Sequence, residues 1–217
     1  MRPSPRARLA ACCALALSGT GALVTGSATA QPDAQDPTAT AAAPTTERER
    51  LNVRVGQTAV VTGTAAADRT VVLQRRGAHG WRTLDRARTD ATGSFRLRHR
   101  AGRPSSARLR LRVAGQPSAT RPLGRLNAYR RAEASWYGPG LYGGHLACGG
   151  TLYAGKLGVA HKTLPCGTKV TLRHNGHKVR VPVIDRGPYV GGREYDLTEA
   201  TAQRIGFHGH GGILSTK

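Results

Sequence analysis

The sequence predicts a mainly β protein made of two modules. Three observations carry that expectation. Short apolar runs alternate with a period of two from about Leu51 to Leu123; a glycine-rich stretch from Ala132 onward holds two more alternating runs around an Asn-Gly turn; and only one segment carries helix signals. The chain has 217 residues, 39% of them hydrophobic, enough to bury a core in one large domain or two small ones. That patterning excludes a wholly disordered chain. No apolar run reaches the roughly 18–20 residues that cross a bilayer, so no transmembrane anchor is expected.

Residues 1–30 read as a signal peptide. Arg2, Arg6 and Arg8 precede an apolar run from Leu9 to Val24, and Ala28-Thr29-Ala30 is an A-x-A site, so cleavage is expected after Ala30. The expected product is secreted, extracellular or associated with the cell wall. Leu9-Ala10-Ala11-Cys12 has the look of a lipoprotein box, but Cys12 opens the apolar run instead of following it. Cys12 and Cys13 leave with the leader. Cys148 and Cys166 remain as an even pair in an oxidising compartment, and a disulfide between them is expected. The nearest histidines, His145 and His161, lack metal-ligand spacing, so no metal is expected. No cofactor is expected either.

Residues 31–50, rich in Ala, Thr, Pro and Gln, read as a linker. Over 51–123 the pairs Val53/Val55, Val60/Val61, Val71/Leu73, Trp81/Leu84, Phe95/Leu97 and Leu109/Leu111 recur about every ten residues. Turn residues at Arg76–Gly80 and Thr89–Gly93 separate them, which predicts a small antiparallel β-sandwich. This stretch resembles, through loose motifs, the Ig-like modules of secreted bacterial proteins. Residues 124–131 are expected to link it to a second module, 132–217.

The net charge is +21, and arginine supplies most of it. From Glu47 to Arg131 there are 20 arginines against 5 acids. Arg96/Arg98/Arg100 and Arg108/Arg110/Arg112 are expected to line one solvent face of the sandwich. A solvated face is the plain reading; attraction to an anionic polymer is the functional one. Nucleic acid is not expected as a partner, because export and the lack of interleaved aromatics both argue against it.

In the second module, Thr168–Arg173 and Lys178–Ile184 flank His174-Asn175-Gly176-His177, a strong hairpin signal. Pro182 within the second run implies an edge or a bulge. Asp196-Leu197-Thr198-Glu199 is expected to start a short helix that runs to Gly206.

Five segments of this module occur in a recognisable order: Ala134-Ser135-Trp136-Tyr137-Gly138, Val159-Ala160-His161-Lys162-Thr163-Leu164-Pro165, Gly167-Thr168, Ile184-Asp185-Arg186-Gly187-Pro188-Tyr189 and Tyr195-Asp196-Leu197-Thr198. Together they resemble the rare lipoprotein A family of septal-ring lytic transglycosylases, related to expansins. The resemblance implies a C-terminal six-stranded double-psi β-barrel with one short helix. It also implies action on peptidoglycan glycan strands that leaves 1,6-anhydro-muramyl ends, with peptidoglycan and anionic wall polymers as partners. The alternative is a non-catalytic, expansin-like wall-binding or wall-loosening module.

Carried over residue by residue, the catalytic positions fall on Asp185, as acid and then base, and on His161, assisting it. Asp196, at the expansin-type position, and Tyr137 are expected to bind substrate. Each has a plainer reading: Asp185 as an ion pair with Arg186 in a Gly-Pro turn, Asp196 as a helix N-cap, His161 as a structural histidine, Tyr137 as packing. In one respect this chain departs from the family: the position where glycan-cleaving members carry a Glu falls on Gly150.

Overall fold

The computed structural model describes residues 42–217, so the expected signal peptide and the first part of the linker lie outside the described residues. The elements are β1 (Arg48–Arg50), β2 (Asn52–Arg54), β3 (Thr58–Thr64), β4 (Thr70–Gly77), β5 (Gly80–Arg88), β6 (Ser94–Arg100), β7 (Ser105–Val113), β8 (Gln116–Tyr137), β9 (Val159–His161), β10 (Lys169–His174), β11 (His177–Asp185), β12 (Tyr195–Thr198), α1 (Glu199–Arg204) and β13 (Gly211–Ser215). The mainly β expectation holds.

In the N-terminal half, β1, β3 and β6 form one antiparallel sheet, while β5, β4, β7 and β8 are joined in a second, with β2 parallel to β8. Val61, Phe95 and Leu97 of the first share a buried cluster with Leu73, Leu109 and Leu111 of the second. Burial of each such side chain contributes about 1.5–3 kcal/mol. The turn before β6 is tied by Asp90, whose Oδ1 accepts from the backbone N–H of Thr92 and Ser94. Gly93 completes it at φ +80°, with its missing side chain leaving room for the Ala65 carbonyl 2.2 Å from an ideal Cβ.

Two segments expected as linkers contain strand. Arg48 to Arg50 pair with β3, and Thr45 N–H donates to the Thr64 carbonyl, so the end of the first linker borders the sheet. Residues 124–131 lie inside β8, a single strand of 22 residues that pairs with β7 in its first half and with β12 and β13 in its second. The arginine face is corrected as well. Arg96, Arg98 and Arg100 lie on β6 and Arg108, Arg110 and Arg112 on β7, in different sheets, so they do not line one face. Alternation tells which side of a strand is wet, but not which sheet the strand joins.

The C-terminal half closes on itself. β8, β12, β9, β11, β10 and β13 are paired in that order, and β13 returns to β8, giving a six-stranded barrel. Its interior holds Ala132, Ala134, Val159, Val170, Leu172, Val181, Val183, Tyr195, Leu197 and Ile213. The β10–β11 hairpin turns at Asn175 and Gly176, both at positive φ, with His174 opposite His177. That is the geometry which favours Asn-Gly. A bulge follows Pro182, between Val183 and Asp185.

The helix starts two residues later than its acidic signal suggests. Thr198 is the N-cap, its hydroxyl accepting from Thr201 N–H, and Asp196 lies in β12. The reading of Asp196 as an N-cap is therefore set aside: pairing of β12 with β8 runs on to Thr198 and keeps residue 196 extended.

Cys148 and Cys166 are bonded, 18 residues apart in sequence. The bond ties the loop ahead of β9 to the segment ahead of β10. Closing a loop of this size contributes roughly 3 kcal/mol by chain entropy. Cys148→Ser with Cys166→Ser is expected to lower the melting temperature by about 6–12 °C, read by calorimetry. Two free thiols in the non-reduced protein would contradict the bond.

Candidate active site

The bulge in β11 determines where Asp185 points. Val183 pairs with Val159 and faces the core, and in a regular strand the residue two positions on would face inward too. The extra residue places Asp185 opposite Ala160 instead, in the outward-facing row. Ile184, the inserted residue, lies over Gly158, where an added Cβ would sit 2.3 Å from its Cδ1. Glycine at 158 is therefore what lets the bulge form as it does.

Ala160 also pairs with Asp196 on its other side, and Asp196 with Ser135. One lateral row thus runs Asp185, Ala160, Asp196, Ser135 across β11, β9, β12 and β8. Ala160, between the two acids, is itself buried. Tyr137, two residues beyond Ser135, lies on the same face of β8. Its hydroxyl is buried, makes no hydrogen bond of normal geometry among the described residues, and lies close enough to Asp185 for that carboxylate to act on it. Burial first, and then the carboxylates of Asp185 and Asp196, push its phenol well above the usual range.

The two acids have different surroundings. Asp185 Oδ1 accepts from the backbone N–H of Ala147 at 2.8 Å and of Arg186 at 2.9 Å, which fixes the carboxylate's orientation. Asp196 is half-buried and accepts from Ser135 Oγ at 2.8 Å. Burial raises its pKa above the ordinary carboxylate value, and the charge of Asp185 adds to the rise; Ser135 and Arg193 pull the other way. The ion pair of Asp185 with Arg186 is not formed. The Arg186 guanidinium donates instead to the carbonyls of His161 and Leu164 and to Cys166 Sγ.

His161 is placed apart from this row. It pairs with Tyr195, one residue past Ala160, and its ring lies 5.0 Å from the Tyr195 ring. Its Nδ1 accepts from the N–H groups of Thr163 and Leu164, both at 3.1 Å, which puts the proton of the neutral ring on Nε2. Burial, reinforced by Arg130, Arg186 and Lys162 and opposed by Glu194, lowers its pKa. The folded protein therefore protonates this ring less readily than the unfolded chain does. The stability His161 contributes is present above histidine's ordinary pKa and is lost as pH falls toward the lowered value.

The structure thus unites Asp185, Asp196 and Tyr137, while His161 holds the turn against which Arg186 is anchored. In the folded chain His161 ties the turn through Thr163 and Leu164. His161→Ala is expected to cost about 1–3 kcal/mol, because two backbone donors lose their acceptor. An unchanged melting temperature would contradict this.

The sequence assigned no part in the site to several further residues. Tyr142 Oη donates to Glu199 Oε2, and Glu199 Cβ lies 2.9 Å from where a Cβ on Gly138 would stand. The Asp-x-x-Glu spacing suggested only a capping role for Glu199. Trp136 and Tyr189 are 36% and 81% exposed, with Tyr189 in the loop just past Asp185. Large aromatics left in water are the one cue that would have marked them. Gly150, which stands where the resemblance implies a Glu in glycan-cleaving members, has φ +80°, and the nearest atom to an added Cβ is Lys156 Nζ at 3.7 Å.

Residues 130–215 match a family described as lytic transglycolase. Over 80 residues the chain is 49% identical to a probable endolytic peptidoglycan transglycosylase RlpA of Synechocystis sp., covering 36% of this chain and 25% of that protein. Over 138 residues it is 36% identical to the endolytic peptidoglycan transglycosylase RlpA of Neisseria meningitidis serogroup B, covering 62% of this chain and 54% of the other. The chain therefore spans between a quarter and about half of these relatives. Among solved structures, the Streptomyces papain inhibitor aligns with 40% of this chain and 91% of its own, at 26% identity and a TM-score of 0.33.

Proposed function

We propose that this chain, whose residues 130–215 form a double-psi β-barrel of the lytic transglycolase kind, cleaves the glycan strands of peptidoglycan. The observation that carries the reading is the outward row in which Asp196, its pKa raised, stands beside Asp185. Two carboxyl groups in unlike environments are what glycosidic cleavage needs: one to deliver a proton, the other to remain charged.

In this scheme the roles implied by the resemblance are exchanged: Asp196, the acid whose pKa burial raises, gives its proton to the glycosidic oxygen as the C1–O bond breaks. The Asp185 carboxylate stabilises the positive charge that develops at C1 and the ring oxygen. The muramyl C6 hydroxyl then bonds to C1 and returns its proton to Asp196. The product is a 1,6-anhydro ring, with no water consumed. Tyr189, exposed in the loop just past Asp185, offers a flat face for a sugar ring.

Incubating purified peptidoglycan sacculi with the protein tests this. Soluble fragments with 1,6-anhydro ends are expected by mass spectrometry. Fragments with hydrolysed reducing ends would overturn it.

Gly150 favours a second reading. With no carboxylate there and a lysine close by, the same face of the barrel would hold glycan without cleaving it. Retention on sacculi with no released fragment would establish that alternative.

Export to the cell wall belongs to the same proposal. No helix among the described residues is long and apolar enough to cross a membrane. The arginine-rich sheets would attract anionic wall polymers. Arg96 and Arg98 are exposed, whereas Arg110 lies 4.2 Å over the Trp81 ring and donates to Gln74. Arg96→Ser with Arg98→Ser is expected to weaken wall binding by several-fold at low salt, with the difference vanishing at high salt. A loss of equal size at all salt concentrations would contradict an electrostatic origin.

A further inference from the structure

Away from the acidic row, β8 changes partners. Asn127, Ala128 and Tyr129 pair with β2, and Arg130 onward pairs with β13. At this change lies a cleft of about 500 Å³, lined by residues of β1, β2, β8, the β10–β11 turn and β13. Its walls carry four arginines, Arg50, Arg54, Arg131 and Arg173, against one carboxylate, Glu133.

None of those four arginines has an ion-pair partner among the described residues, where the pairs are Arg88–Asp68 and Arg130–Glu194. The arrangement is set by strand register. Arg131 pairs with Leu214, and Leu214 with Arg173, so the two arginines flank one uncharged side chain across three strands. Two strand spacings put their backbones roughly 10 Å apart, a span that two guanidinium forks close on one anion between them. Arg50 and Arg54 supply the facing wall. The floor is neutral and fixed: Tyr129, 1% exposed, donates to Asn52 Oδ1 at 3.1 Å, and Asn127 Nδ2 donates to the same oxygen. Arg173 lies near enough to Tyr129 to oppose the rise that burial causes in its phenol pKa.

Four unpaired guanidinium groups around a polar floor repel one another unless an anion enters. Planar forks on two walls suit tetrahedral oxyanions repeated along a chain, each held by paired N–H donors. We propose that this cleft binds a phosphodiester-linked polymer without bases. No Trp, Tyr or Phe face is open for stacking among the residues that line it: Tyr129 is buried in its floor, and the half-buried His174 ring is already packed edge-on with Phe207. The inference stands apart from the glycan reading, since it uses no residue of the acidic row.

The test is calorimetric titration of the protein with a short poly(glycerol phosphate) oligomer at low and high salt. Arg131→Gln with Arg173→Gln is expected to weaken binding roughly tenfold or more. Arg86→Gln with Arg121→Gln, the same charge change on exposed positions outside the cleft, is expected to change it less than about twofold. Equal losses in the two double variants, or no binding by the unaltered protein, would overturn the proposal. A polyglutamate oligomer of equal charge is expected to bind more weakly; equal binding with the same sensitivity to Arg131 and Arg173 would contradict phosphodiester selectivity. A single-stranded oligonucleotide held more tightly than the glycerol polymer, through the same two arginines, would overturn the base-free assignment.

Discussion

Asp196→Asn is expected to lower the rate of glycan cleavage by about 10²–10⁴-fold while leaving the folded protein at least as stable at neutral pH. The first effect follows from losing the proton donor. The second follows from linkage. Burial raises the Asp196 pKa above its unfolded value, so between the two values the native state binds more protons than the unfolded chain. The stability Asp196 contributes is full below the unfolded pKa and is lost as pH rises through the folded one. Asparagine carries no charge to bury and still accepts from Ser135. A melting temperature that drops at neutral pH, or cleavage at the unaltered rate, would contradict this role.

Asp185→Asn is expected to reduce cleavage by about 100-fold or more with only a modest fall in melting temperature. Asparagine retains an oxygen for the N–H groups of Ala147 and Arg186, so the turn after β11 keeps its ties. What disappears is the negative charge that would stabilise a developing oxocarbenium ion. Glycan retention on sacculi should stay near its original level, since the exposed face of Tyr189 is untouched. If this variant unfolds the barrel, Asp185 is a turn residue. If it cleaves normally, the charge has no part in the chemistry.

The strands were legible because the features that specify them are local. Asn175-Gly176 carries the positive φ values its turn requires, and alternation in β3 and β6 matches their buried faces. The bonding of Cys148 to Cys166 followed from compartment and parity. The site was less legible, for a physical reason: a single inserted residue reverses the parity of everything after it. Pro182 hinted at an irregularity, but only the pairing of Asp185 with Ala160 shows that the acid faces out. His161 and Ala160 are adjacent in sequence and, by alternation, point to opposite sides of β9. A motif that places His161 and Asp185 in order along the chain says nothing about that. The long β8 was hidden as well, since Gly124 breaks its pattern although pairing with β7 continues on both sides of it.

The most direct test of the central claim is to follow the side-chain carboxyl of Asp196 by NMR from acid to neutral pH, in the unaltered protein and in Asp185→Asn. A midpoint above the ordinary aspartate value is predicted, moving partly back down when the Asp185 charge is removed. A midpoint at or below the ordinary value, unmoved by that substitution, would contradict a proton held on Asp196 beside a charged partner.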